Sequence, residues 1–262
     1  MVKTADSDNL SHLQRWNFWL AGIFAVVGLA VLFVSASKSL PVYAGYLTPD
    51  PVATEITGQT ALNVASRHLF DVPVAPLLAA ICLVAAVGHG LVATLYRPQY
   101  EADLKKRLNK VRWIEYGVTG GLAIALVALL GGVVEFSTLI LLLVLTLVMH
   151  LLGLLREVHH RGKPASGWLA CIIGGIAGVV PWLVIAGSFW ATTVFGSGSI
   201  PGFVYWLYGS LLAVFLAFAA NAYLEFKRPG TKQDYLRTEQ RYMLLGAAAK
   251  LLLVIQVFRG VL

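Results

Sequence analysis

Lys250 sits inside an apolar run, between Ala247 to Ala249 and Leu251 to Leu253. It follows Arg241 by nine residues, ~13 Å along a helix, which is near the middle of a hydrocarbon core of about 30 Å. An ammonium group at that depth costs about 3 kcal/mol or more, so such a lysine is paired, held neutral or covalently used. Once loop charges are set aside, the apolar runs retain Lys250, Glu115 and two weaker bases, His89 and His150. A desolvated amine on a rigid helix is suited to condense with an aldehyde as a Schiff base, and a charged imine needs a nearby anion. Glu115 is the carboxylate available for that role. The blander reading of the same pair is a lysine that lines a polar cavity, or that pairs with Glu115 only to fix helix packing.

The elements that must position these groups follow from composition. The chain has 262 residues, 58% hydrophobic and 13% charged, which disfavours a soluble enzyme, a disordered chain and a disulfide-rich secreted module. Seven apolar runs are long enough to cross a bilayer as helices: Trp16 to Ser35, Val74 to Tyr96, Trp113 to Val134, Phe136 to Leu155, Trp168 to Phe189, Ile200 to Tyr223 and Tyr242 to Phe258. Barrel strands would be half that length and alternating. The expected fold is an all-α membrane protein, a seven-transmembrane-helix bundle forming one domain over residues 1–262. The first run is too long for a removable signal peptide and has no small-residue cleavage site. Cys82 and Cys171 lie within apolar runs and read as buried thiols without metal-ligand spacing.

The net charge of +7 resides in the connections. One side carries sixteen basic residues: Lys3, Arg15, Arg97, Lys105, Lys106, Arg107, Lys110, Arg112, Arg156, Arg161, Lys163, Lys227, Arg228, Lys232, Arg237 and Arg241. The other has Lys38, Arg67 and Arg259. That asymmetry places the N-terminus in the cytoplasm and the C-terminus outside, with the charges serving as solvated loop residues and lipid anchors rather than a nucleic-acid site. Helix three is expected to begin within Glu101 to Val111, so that Arg112 reaches the inner surface and Glu115 lies on the cytoplasmic side of Lys250. The one long outer connection, 38–73, holds Tyr43, Tyr46, a Pro49-Asp50-Pro51 turn and an alternating stretch around Val52 to Ile56. It suggests a small β-hairpin acting as a lid, or a flexible segment.

Four motifs then stand in order: Arg112-Trp113-Ile114-Glu115-Tyr116, Gly178-Val179-Val180-Pro181-Trp182, Ile200-Pro201-Gly202-Phe203-Val204-Tyr205, and Lys250 with Gln256. From about Leu13 to Gly260 the chain resembles a heliorhodopsin. The resemblance implies a retinal protein of inverted topology, with all-trans retinal covalently bound in the dark, Lys250 as the Schiff base residue and Glu115 as its counterion. It also implies a chromophore pocket including Met149, Trp182, Phe215 and Phe218, a proton and water network of His89, Tyr116 and Thr119, and a homodimer. Two departures affect that network: Ala25 stands where family members often have His, and Leu251 stands where a Ser commonly follows the retinal lysine. The resemblance implies no role for His150.

Ion-pumping microbial rhodopsins commonly carry a carboxylate four residues before the retinal lysine and another eleven after the helix-three counterion. This chain has Gly246 and Leu126 there. A pump needs an acceptor, a donor and a one-way path, so the expectation is a non-enzymatic photosensor in the plasma membrane. It would signal through its basic cytoplasmic loops to a separate partner, and would have no nucleic-acid partner. A light-gated ion channel, with Gly117, Gly120 and Gly121 lining a pathway, is the alternative, although such glycines more often serve close helix packing. A zinc hydrolase is set aside because the runs hold too few His for a metal site.

Overall fold

The computed structural model describes residues 2–34, 38–160, 167–196, 200–227 and 231–262. Ser35, Arg161, Lys163 and Arg228 lie outside the described residues. In chain order the elements are α1 (Val2–Val34), β1 (Ser39–Pro49), α2 (Pro51–Thr57), β2 (Leu62–Pro73), α3 (Val74–Ala93), α4 (Arg97–Lys105), α5 (Lys110–Leu130), α6 (Phe136–His160), α7 (Trp168–Phe195), α8 (Gly202–Lys227) and α9 (Lys232–Gly260). Seven of these helices, α1, α3 and α5 to α9, are long and apolar enough to cross a membrane.

Each inward face can be read from spacing. On α1, Leu10, Leu13, Asn17, Leu20, Phe24 and Val31 are buried, recurring every three or four residues with Gly28 filling the gap. A Cβ on Gly28 would lie 3.0 Å from Leu83 of α3, so this glycine brings the two helices close. The outward faces carry exposed Phe18, Trp19, Val26 and Phe33 on α1, and Trp190 and Trp206 on α7 and α8. Exposed aromatics of this kind are the normal surface where lipid is the solvent.

Packing follows a ring in which α1 meets α3 and α9, α3 meets α5, α5 meets α6, α6 meets α7, and α8 meets α9. Aromatic side chains join α7 to α8: Trp182 meets Tyr208 and Phe215, Phe189 meets Tyr205 and Tyr208, and the Tyr208 hydroxyl donates to the Trp182 carbonyl at 3.0 Å. The main apolar core includes Ile124, Leu126, Ala128, Leu129, Leu142, Ile185, Leu207, Leu253 and Val257.

Helix ends extend past the apolar runs because caps, not hydropathy, terminate helices. At α9, Thr231 and Asp234 form a reciprocal capping box, so the helix starts ten residues before Tyr242. At α5, Asn109 Oδ1 accepts from Arg112 N at 3.0 Å, and the helix begins at Lys110, within the expected Glu101 to Val111. Glu101 to Lys105 belongs to a separate preceding helix, α4, with Pro98 in its first turn. At α6, Glu135 accepts from Thr138 N at 2.7 Å and from its hydroxyl at 2.9 Å. The Thr138 backbone N–H holds the Glu135 carboxyl below the usual carboxylate range.

The segment between α1 and α3 is an antiparallel hairpin, β1 against β2 from Ser39↔Pro73 to Pro49↔Leu62, with a bulge between Val42 and Tyr43. Its tip differs from the expectation at Val52 to Ile56, which is helical. Asp50 caps Ala53 N, Pro51 occupies the first turn, and Gly58 closes the helix at φ 66°, a conformation that favours glycine. Tyr43 N donates to Val134 O at 2.9 Å, and Phe70 meets Phe136 edge-on at 6.0 Å. The hairpin is thereby fixed to the α5–α6 turn.

A Cβ on Gly153 of α6 would collide with the Trp113 ring of α5, whereas Gly22 of α1 faces open space. Gly153→Ala is expected to cost roughly 1–3 kcal/mol through overpacking, and Gly22→Ala to change stability by less than about 0.5 kcal/mol. Thermal or denaturant unfolding in one detergent distinguishes the two.

Candidate functional site

Helix α9 runs from the amino-terminal end of the bundle toward the hairpin end, and helix side chains lean back toward their own N-terminus. Lys250 therefore leans toward the amino-terminal end. Its Nζ lies 3.1 Å from Glu115 Oε1, with both side chains buried. The Thr119 hydroxyl, one turn on from Glu115, donates to Glu115 Oε1 at 3.1 Å and to the Glu115 carbonyl at 2.9 Å. A Cβ on Gly88 of α3 would sit 2.9 Å from Glu115 Cγ, so glycine there makes room for the carboxylate. Lys250 Nζ also lies 4.6 Å from the Tyr116 ring centroid and 5.7 Å from that of Phe24.

Lys250 forms part of the wall of an apolar cavity of about 500 Å³, within the range of roughly 300–1,000 Å³ typical of sites that bury a small ligand. Tyr116, Thr119, Met149, His150, Trp182, Phe215 and Phe218 line the same space. Trp182 and Phe215 stand 5.6 Å apart, and Tyr116 meets Phe218 edge-on at 5.6 Å. The Tyr116 hydroxyl donates to the Tyr242 carbonyl at 2.6 Å, and a Cβ on Gly246 would collide with that hydroxyl. On α7, a Cβ on Gly178 would strike Met149 Sδ and lie 3.1 Å from Phe215. These glycines keep side chains out of a space that an elongated apolar group attached at Lys250 could fill.

His89 faces elsewhere. It stacks on Phe24 at 5.9 Å, its Nδ1 is 2.7 Å from Asn17 Oδ1, and it lines a separate polar cavity of about 20 Å³ with Glu115, Tyr116, Tyr100, Asn109 and Arg112. That volume admits about one water. His150 stays on the large cavity, its Nδ1 2.8 Å from the Thr146 carbonyl. Leu251 packs against the apolar cluster at the amino-terminal end.

The structure corrects the expectation for Arg112, which does not extend to the surface. Its guanidinium is buried and grips two carboxylates, Glu157 of α6 through Nη2 and Glu239 of α9 through Nη1. Asn109 completes the group, its backbone N donating to Glu157 Oε2 at 2.9 Å and its Nδ2 to Glu239 Oε2 at 2.8 Å. Nearby, Arg156 lies 3.5 Å from Glu225. The helices thus hold more buried charge than Lys250 and Glu115 alone. Hydropathy missed it because these residues flank the apolar runs, but periodicity could have found it. Glu239 precedes Lys250 by eleven residues, three helical turns, and so shares its inward face.

Seven membrane-length helices around an apolar cavity, with a buried lysine at its wall that pairs with a buried carboxylate behind it, define a rhodopsin-type membrane protein. The Heliorhodopsin family model matches residues 13–262, and the chain belongs to that family. Membership implies a retinal chromophore. No curated protein matches the chain.

Arg112→Ala is expected to strand two buried carboxylates and cost about 3–5 kcal/mol. Arg97→Ala, at the half-exposed Arg97–Glu101 pair, is expected to cost no more than about 1 kcal/mol. Parallel unfolding measurements in detergent compare the two.

Proposed function

We propose that the protein is a light sensor that carries all-trans retinal covalently on Lys250, with Glu115 as counterion, and that it neither pumps nor conducts ions. The observation that carries this reading is the 3.1 Å approach of Lys250 Nζ to Glu115 Oε1 at the wall of the apolar cavity. Retinal, joined through an imine at that nitrogen, supplies visible absorption and a light-driven change of shape. Glu115 then balances a positive charge at Nζ, and Thr119 fixes the acceptor oxygen by donating to it. Met149, Trp182, Phe215 and Phe218 confine the chain of the chromophore, and Tyr116, anchored on the Tyr242 carbonyl, closes the cavity beside the nitrogen.

The absence of transport is supported by the core toward the hairpin. Leu126, at one of the positions where pumps hold a carboxylate, is fully buried among Ile124, Ile185, Leu207 and Leu253. The glycines of the channel alternative are occupied by helix packing: Gly117 faces Leu147 and His150, Gly120 faces His150 and Thr146, and Gly121 faces Leu143. The basic asymmetry supports a cytoplasmic N-terminus in a plasma membrane. With it go a homodimer and a cytoplasmic signalling partner rather than an enzymatic role.

Purified protein supplied with all-trans retinal is expected to develop a visible band that Lys250→Ala abolishes. Glu115→Gln is expected to shift that band to longer wavelength, or to move loss of the Nζ proton to lower pH, because the carboxylate favours the charged form. A colourless wild-type preparation refutes the retinal reading. A sustained, uncoupler-sensitive pH change in illuminated proteoliposomes refutes the absence of pumping, and photocurrents that reverse with voltage refute the absence of conduction.

A further inference from the structure

The Arg112 group carries an imbalance of charge. One guanidinium faces two carboxylates, and all three side chains are buried, Glu239 completely. All four carboxylate oxygens have a donor: Arg112 Nη1 and Nη2, and the backbone and side-chain nitrogens of Asn109. Four donors and no acceptor describe two ionised carboxylates, so the resting triad bears one excess negative charge. Low dielectric makes such an excess costly, and taking up one proton removes it.

The surrounding groups leave that excess in place. Arg156 is engaged with Glu225, which also accepts from the Tyr242 hydroxyl at 3.4 Å. Lys110 pairs at the rim with Asp103 of α4, at 3.5 Å. Tyr100 of α4 meets Asn17 of α1 at 3.4 Å, and His89 of α3 faces the same Asn17. Among the described residues, the buried hydroxyl of Tyr235, one turn before Glu239, and Arg112 Nε have no hydrogen-bond partner. The Tyr235 oxygen can accept, which gives a new carboxyl O–H somewhere to turn.

A route to the triad is also present. Asn109 and Arg112 line the same small polar cavity as Glu115, and both hold Glu239 directly. We propose that the Arg112–Glu157–Glu239 triad is an internal proton acceptor for the Lys250–Glu115 site. Resting on the retinal reading above, the step is one proton transfer. The N–H bond at Lys250 Nζ breaks, the proton crosses by way of Glu115 and the polar cavity, and an O–H bond forms on Glu239 or Glu157. Lys250 Nζ becomes neutral and the triad loses its excess charge. The proton returns by the same cavity, with none released to either face of the membrane.

Light-minus-dark infrared spectroscopy of the retinal-loaded protein reads the acceptor directly through the C=O stretch of a newly protonated carboxyl group. That band is expected in the wild type, shifted in Glu239→Asp, and absent from both Glu157→Gln and Glu239→Gln, since either neutral substitution leaves a balanced arginine–glutamate pair. In the retinal-free protein, acid titration is expected to produce a buried carboxyl band that both Gln variants lack. Each variant's visible band in the dark verifies its fold, and Glu239→Asp serves where a Gln variant fails that check. A light-induced carboxyl band that persists in both Gln variants, or a stoichiometric proton signal in a bulk indicator dye, overturns the proposal while leaving retinal binding intact. Absence of any visible band in the wild type instead defeats the retinal reading itself.

Discussion

The constraint on which the architecture depends is a cation and an anion kept from water in the middle of a helical bundle. Neither Lys250 nor Glu115 is tolerable alone in hydrocarbon, and 3.1 Å between them is attainable only if several helices cooperate. Helix α9 supplies the lean of the lysine, α5 supplies Glu115 and its Thr119 donor one turn apart, and α3 withdraws a side chain at Gly88. Asn17 on the inward stripe of α1 then engages His89 behind the pair.

Much of this was legible in the sequence, for a physical reason. The bilayer penalises unpaired polar groups so heavily that seven long apolar runs read as seven helices, and a lysine amid Ala247 to Leu253 stands out. The position of Glu115 beside Lys250 followed from scarcity, and the order of motifs pointed to the family. Where the reading erred, local geometry overrode hydropathy. Val52 to Ile56 alternates like a strand, yet Asp50, Pro51 and Gly58 start and stop a helix around it. Arg112 looked like a residue reaching for the surface, because a basic residue at the edge of an apolar run usually does so. Its two carboxylate partners lie 45 and 127 residues away along the chain, and the one sequence signal of the meeting is the helical spacing that puts Glu239 on the face of Lys250.

The two halves of the bundle differ in kind. Toward the hairpin, the interior is filled by Leu126, Leu142, Ile185, Leu207 and Leu253, which give a proton nothing to bind. Toward the amino-terminal end, Asn17, His89, Tyr100, Asn109, Arg112 and Glu115 surround a small polar space. Lys250 stands at the boundary, so charge moving toward the amino-terminal end meets the ionisable groups of that polar space.

The β1–β2 hairpin adds a mechanical asymmetry. It continues from α1, runs directly into α3, and is tied to the α5–α6 turn by Tyr43 N–H and by Phe70 against Phe136. Four helix ends are thereby clasped by one piece of backbone, as the spokes of a fan are by its rivet. The opposite side is held differently, by side chains, with Arg112 and Asn109 joining the start of α5 to Glu157 of α6 and Glu239 of α9, so backbone secures one end of the bundle and buried charge the other.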